Sequence, residues 1–393
     1  MSTASVSGRG IQGEADSGLV ERVRERLARS PGALTPHRVA EALRESGRPV
    51  GDATVLEVYE SLRRDVLGAG PLEPLLREPG VTDVLVNGPD QVFWDRGSGL
   101  EPAAVRFPDE AAVRRLAQRL AAAGGRRLDD AAPFVDVRLP DGTRFHAVLA
   151  PVAGPGTLLS LRVPSPRVFT LDELAERGML TAGGLRLLDA VVTARLAFLV
   201  SGGTGSGKTT LLAALLARAP AEERLLVVED AAELRPDHPH LVTLEARPAN
   251  LEGAGEVPLR ALVRQALRMR PDRLVVGEVR GGEVVELLAA LNTGHEGGCG
   301  TLHANSAADV PTRVEALALA AGLGREAAHS QFASAVQLVL HLGRDADGVR
   351  RLQQVAVPVR APDGLVTMAT AYELVDGRLG RRPAATVLEE RLG

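Results

Sequence analysis

Residues 202–212 read GGTGSGKTTLL and hold the only lysine of this 393-residue chain. Lysine and arginine together number 46, so arginine supplies the basic charge everywhere else. A lysine at this one place calls for a reason. Arginine presents a planar fork, whereas lysine presents a compact point charge on a flexible stem. A bend of backbone N–H groups wrapped around a phosphate chain has room for an ammonium but not for a guanidinium plane. The stretch fits G-x-x-x-x-G-K-[ST] through Gly202, Gly207, Lys208 and Thr209. LAFLVSG before it reads as a buried strand and TTLLAALLARA after it as a helix, the context that motif requires. The nucleotide-binding set is therefore Gly202, Gly203, Thr204, Gly205, Ser206, Gly207, Lys208, Thr209 and Thr210. Backbone amides and the helix N-terminus would cradle the phosphates. Lys208 would reach the β/γ-phosphates, and the Thr209 hydroxyl would ligate Mg²⁺.

Strands and helices alternate on from this loop. LAFLV, RLLVVE, HLVTLE, DRLVVG and CGTLH read as strands with helices between them. That alternation predicts an α/β domain with a mostly parallel sheet over residues 165–393. It closes on hairpins with turns at Asp347-Gly348 and Asp376-Gly377. Upstream, VTDVLVNGPDQVFWDRG predicts two short strands around Asn87-Gly88, and DEAAVRRLAQRLAAAGG a helix. FVDVRLPDGTRFHAVLAPV predicts a hairpin about Pro140-Asp141-Gly142, and TLLSLRV a further strand. Together they predict a smaller α+β domain over residues 70–164. PSPR at 164–167 reads as a stiff linker, and Thr170-x-x-Glu173 as a capping box. Residues 19–69 carry helical periodicity with Arg and Glu between the apolar positions; Thr35-Pro36 and Asp52 are helix starts. Residues 1–18, rich in Gly and Ser, predict a disordered tail.

Composition narrows the class. The net charge of −4 and 3% aromatic content weigh against a protein that mainly grips nucleic acid. Cys299 is the only cysteine, which excludes an internal disulfide and a four-cysteine zinc site. No apolar signal opens the chain, and its apolar runs are too short or too interrupted to span a bilayer. A cytoplasmic location is expected, with any membrane contact made through partners.

Hydrolysis needs more than a phosphate loop: a carboxylate that activates water, and help with Mg²⁺. RLLVVEDAAEL ends a strand in Glu229, Asp230 and Glu233, where open α/β sheets bind ligands. Glu229 and Thr209 are the Mg²⁺ candidates, partly through water. PDRLVVGEVRGGE ends a strand in Glu278 with Gly277 beside it and no Walker B aspartate. Glu278 is thus the candidate for polarising the attacking water, with Glu233 as its understudy; pairing with Arg280 is the bland alternative. LNTGHEGGCGTLHANS sets His295 and His303 eight residues apart around a Gly-rich bend. With one cysteine and no further spaced ligand, zinc is disfavoured; they are read as groups that sense or orient near the γ-phosphate, with a structural role as the alternative. No metal other than Mg²⁺ is expected.

The order of phosphate loop, VVEDAAEL, RMRPDRLVVGEVRGGE and NTGHEGGCGTLHANS resembles the type II/type IV secretion ATPases. The likeness runs upstream through VTDVLVNG, VDVRLPDGTRFHAVLAPV and LSLRV, covering roughly residues 70–355. Within that family the chain looks most like the tight-adherence (Flp pilus, CpaF-like) branch in its actinobacterial form. The missing tetracysteine module also favours that branch or type IV secretion. The resemblance implies a PAS-like first domain and a RecA-like second one, ATP and Mg²⁺ as ligands, and a homohexameric ring. It implies an inner-membrane platform protein as partner, and work on a pilus or in secretion, peripheral to the membrane's inner face. It further implies that Arg138, Arg144 and Arg162 meet the phosphates. Relatives often carry a lysine next, where this chain has Val163. A conjugation-type nucleic-acid pump is the rival reading, and a scaffold that has lost hydrolysis is a second.

Overall fold

A computed structural model describes residues 23, 35–44, 54–56, 58–59, 68–97, 99–154, 156–164, 168–247, 249, 254–345 and 347–393. The tail at 1–18, the Asp52 helix start and most of the PSPR segment lie outside the described residues, as does most of 19–67. The chain divides into two compact units, Met1–Ser165 and Pro166–Gly393.

In the first unit, helix α1 (Pro36–Arg44) begins where Thr35 Oγ1 accepts a hydrogen bond from Arg38 N–H, and the short helix α2 spans Glu73–Leu76. An antiparallel six-stranded sheet follows, in the order β3-β2-β1-β6-β5-β4. Its strands are β1 (Asp83–Asn87), β2 (Val92–Asp95), β3 (Leu100–Pro102), β4 (Phe134–Arg138), β5 (Arg144–Val148) and β6 (Leu158–Arg162). Helix α3 (Glu110–Ala123) packs on one face. Its buried Val113, Leu116, Ala117, Leu120 and Ala121 recur at helical spacing, and Asp109 caps it by accepting from Ala112 N–H. Period two sorts the strands: Val84, Val86, Val135, Phe145, Ala147, Leu159 and Leu161 enter the core beneath α3. The opposite face therefore carries Arg138, Arg144, Arg162 and Asp83, paired in one cross-strand row.

The second unit opens with α4 (Leu171–Glu176), whose start is a complete capping box between Thr170 and Glu173, and continues with α5 (Ala182–Thr193). Its sheet has nine strands among the described residues, in the order β15-β14-β13-β12-β7-β11-β10-β8-β9. These are β7 (Phe198–Gly202), β8 (Leu225–Glu229), β9 (Leu241–Glu245), β10 (Arg273–Val279), β11 (Cys299–Leu302), β12 (Leu338–Arg344), β13 (Arg350–Arg360), β14 (Val366–Val375) and β15 (Arg378–Arg381). Strands β12 to β9 in that order are parallel; β12 to β15 form an antiparallel meander. β12 thus does two jobs, pairing antiparallel with β13 and parallel with β7, where the sequence showed only a hairpin.

Both faces of this sheet are covered. Phe198, Val200, Leu225, Val227, Val275, Leu338 and Leu340 enter one core with α5, α6 (Lys208–Leu216) and α11 (Ala385–Leu392). The residues between them, Leu199, Leu226, Val228, Leu274, Val276 and Val339, enter the other. They meet α7 (Leu259–Ala266), α8 (Glu283–Leu291), α9 (Val310–Ala320) and α10 (Arg325–Ala335). Two-sided burial is why these strands read as unbroken apolar runs. Each fully buried side chain of this kind contributes about 1.5–3 kcal/mol.

Candidate active site

Three adjacent strands, β7, β11 and β10, deliver the site at their carboxyl ends, the crevice in which open α/β sheets bind ligands. From β7 the chain turns through 203–207 into α6. Gly202 has φ of +152°, and a Cβ there would stand 2.4 Å from the Leu342 carbonyl oxygen of β12. Gly207 has φ of +96°, and a Cβ there would meet Met179 Cε at 2.8 Å. At Gly202 the backbone carbonyl leaves no room for a side chain, and at Gly207 the left-handed φ strains any residue but glycine. Lys208 opens α6, buried, with Nζ donating to the carbonyls of Gly202 (3.0 Å) and Gly203 (2.9 Å). Burial holds its ammonium below the usual lysine range, opposed by the nearby Glu278 carboxylate. Lys208 here rests on the carbonyls of its own loop, from which a phosphate chain can draw it. Thr209 and Thr210 follow in the first turn of α6, and the buried Ser206 Oγ has no hydrogen-bond partner.

Glu278 stands at a bulge. β10 and β11 pair Val276 with Gly300, then Val279 with Leu302, so the register shifts across Gly277 and Glu278. Thr301 Oγ1 donates to the Gly277 carbonyl at 2.7 Å and pins the bulge. A bulge re-aims a side chain, here turning Glu278 toward the phosphate loop's lysine. His303, one residue past β11, sits between the two: its Nδ1 lies 3.4 Å from Lys208 Nζ, and its Nε2 2.5 Å from Glu278 Oε1. An ammonium can only donate, so Nδ1 is the acceptor and Nε2 carries the proton. Burial first, then the Lys208 charge, keeps the His303 pKa below its ordinary value of 6.5. The His303–Glu278 contact is short but poorly aligned, and Glu278 Oε1, buried, has no hydrogen bond.

Arg280 pairs with the other oxygen of Glu278 at 2.5 Å, the ion pair that the bland reading of Glu278 expects. The Glu278 hydrogen bond raises the Arg280 pKa, and Asp230 and Glu233 add to it. Arg280 thus gathers the carboxylates at this end of the sheet. The sequence offered it only as a partner, and its position two residues past Glu278 was the signal.

Glu229 is buried at the end of β8, and its Oε1 accepts from Glu233 N–H (3.1 Å) and Leu234 N–H (3.0 Å). It closes the acidic turn, and those bonds turn its carboxylate to the backbone. These bonds give it a holding task in the acidic turn. Gly277 makes room for it: a Cβ there would lie 2.4 Å from Glu229 Cγ. His295 bonds through Nδ1 to the Ala290 carbonyl near the end of α8, and no described contact joins it to Lys208, Glu278 or His303. In the first unit, Arg162 pairs with Asp83 at 3.0 Å, and Arg138, Arg144 and Arg162 stand side by side in register.

The residues suit Mg²⁺-ATP. Among the described residues no cluster of three His, Cys, Asp or Glu could cage a metal. Mg²⁺ commonly binds instead through one or two protein oxygens together with substrate phosphates. Thr209, next after Lys208 in the first turn of α6, would supply one.

The sequence profile of the family described as "Type II/IV secretion system protein" matches residues 65–380. This chain belongs to the type II/IV secretion ATPase family. A Mycobacterium tuberculosis protein named for conjugal transfer is 58% identical over 329 residues, 82% of this chain and 93% of the relative. The conjugal transfer protein TrbB of Rhizobium radiobacter is 32% identical over 285 residues, covering 71% of this chain and 84% of that one. The type IV secretion system protein VirB11 of Brucella suis is 33% identical over 261 residues, 60% and 72% of the two chains. Among solved structures, the Legionella pneumophila ATPase DotB aligns with a TM-score of 0.50 at 19% identity, over 75% of this chain and 80% of that one. That likeness concerns the fold alone.

Proposed function

We propose that this family member hydrolyses Mg²⁺-ATP as a ring-shaped, homohexameric motor at the inner face of a membrane, and works on a membrane-embedded platform protein. The observation that carries the catalytic part is the line Lys208–His303–Glu278, assembled from three neighbouring strand ends. Lys208 leaves the Gly202 and Gly203 carbonyls for the β/γ-phosphates. Thr209 would hold Mg²⁺, which when bound would neutralise phosphate charge. Glu278 Oε1 orients and polarises the attacking water, and His303 sets that oxygen's position relative to the lysine. The family and the names of the relatives support the motor role. The tight-adherence branch remains our reading of the motif set, and no helix among the described residues is long and apolar enough to cross a membrane.

The test is ATP hydrolysis by the purified chain, with and without Mg²⁺, beside Glu278→Gln. The variant should bind ATP yet turn over at least ~100-fold more slowly, the scale for losing a general base. Normal turnover in Glu278→Gln would move water activation elsewhere, to Glu233 first. Two of the relatives above are named for conjugal transfer, which favours a second reading: a motor serving DNA transfer. DNA-stimulated hydrolysis by the wild type would support it; a rate indifferent to DNA favours a protein cargo, in keeping with the net charge of −4.

A further inference from the structure

β12 and β13 run past the end of β7 and reach the phosphate loop. Arg344, last in β12, and Arg350, first in β13, are directly opposed in the antiparallel pair. Both donate to a single acceptor, the Gly205 carbonyl: Arg344 Nη2 at 3.2 Å and Arg350 Nε at 2.8 Å. Arg350 Cδ would also lie 3.5 Å from a Cβ on Gly207. The two carboxylates of the turn between the strands, Asp345 and Asp347, are taken by the next residue, Arg351. Arg351 also donates to the Gly178 carbonyl, and Leu352 N–H to the Met179 carbonyl, so the hairpin is fixed on its other flank.

Two features make this more than surface decoration. The first is charge: two guanidiniums, directly opposite in the antiparallel pair, both reach the same loop carbonyl. An anion held in the loop would be attracted by both. The peptide geometry then ties the carbonyl to the loop's interior. In a trans peptide the C=O of Gly205 and the N–H of Ser206 point opposite ways. With the carbonyl held toward the hairpin, Ser206 N–H faces the other side, where it donates to the Gly203 carbonyl at 3.3 Å. That same carbonyl receives Lys208 Nζ. The arginines therefore hold an amide on the lysine's side of the loop, the side on which phosphates are gathered.

We propose that Arg344 and Arg350 are positioning residues of the phosphate loop: they fix the Gly205–Ser206 peptide with its N–H inward, and their charges favour the nucleotide-bound loop. The inference rests on the nucleotide reading of that loop given above. Through it the C-terminal meander becomes part of the nucleotide site.

The test measures ADP affinity, with Mg²⁺ present, for the wild type, Arg344→Gln, Arg350→Gln and Arg344→Lys, with thermal melts on the same preparations. Each Gln variant should bind ADP about tenfold more weakly, the scale of one hydrogen bond to a charged group. Without nucleotide their melting temperatures should match the wild type. Arg344→Lys should keep more affinity than Arg344→Gln. Wild-type affinity in both Gln variants would overturn the proposal. So would lower melting temperatures with affinity unchanged, which would mark a purely structural role. A wild type that fails to bind ADP would overturn the nucleotide reading itself, and this inference with it.

Discussion

At the scale of single residues, the site turns on which proton sits where. His303 is poised between an ammonium and a carboxylate, with its pKa below 6.5. A histidine whose folded pKa is depressed contributes stability that is fully present above 6.5 and is lost as pH falls through the folded value. At pH 7.5 the ring is neutral and accepts at Nδ1. On acidification it gains a proton that faces Lys208, and the site loses its acceptor. The acid limb of kcat/KM should therefore lie below pH 6.5 and carry the His303 titration. His303→Asn should lower activity at pH 7.5 and flatten that limb; a pH–rate profile of unchanged shape in the variant would assign the limb to another group. The positions of Lys208 and Thr209 were legible in the sequence from a fixed spacing, and that of Glu278 from the end of an apolar strand; their roles are what the variants test. Arg344 and Arg350 were not: their place beside the loop follows from the parallel pairing of β12 with β7, across more than a hundred residues. Nor does an acidic cluster reveal which of its members holds the backbone of the turn, as Glu229 does.

Elements show the same division. β7, β8, β10 and β11 were readable as apolar runs, since each buries both faces. β3 was not, because its three residues are all exposed and give no periodicity. The bulge in β10 also left only a faint trace, a glycine where the motif has an aspartate. Its consequence is testable. Gly277→Ala places a methyl group within 2.4 Å of Glu229 Cγ, so either the acidic turn or the bulge must shift. The variant should lose about 1–3 kcal/mol, the ordinary cost of overpacking, measured by chemical denaturation. It should also lose ATPase activity, because Glu278 is the neighbouring residue. Full stability with full activity would show that the bulge has slack.

For the molecule as a whole, the sequence drew a boundary at the PSPR segment, and the two compact units part between Ser165 and Pro166. What each unit contributes to turnover can be separated by mutation. Arg138→Ala and Arg144→Ala, in the first unit, should slow ATP hydrolysis while leaving thermal melts nearly unchanged, if their guanidiniums serve the phosphates. Surface pairing alone would cost roughly 0–1 kcal/mol and leave the rate alone. Steady-state assays beside melts on the same preparations decide between the two.

The solitary lysine has a practical side. A lysine-specific protease finds one cleavable bond in the entire chain, Lys208–Thr209, at the threshold of α6. In the folded protein Lys208 is only 7% exposed, so scission must wait for that turn to unwind. When reclosing outpaces cleavage, the rate of cutting tracks the population of the opened form. The appearance of two fragments of nearly equal size is thus a clock for the phosphate loop alone, blind to fraying elsewhere. Saturating ADP should slow that clock, and Arg344→Gln should quicken it.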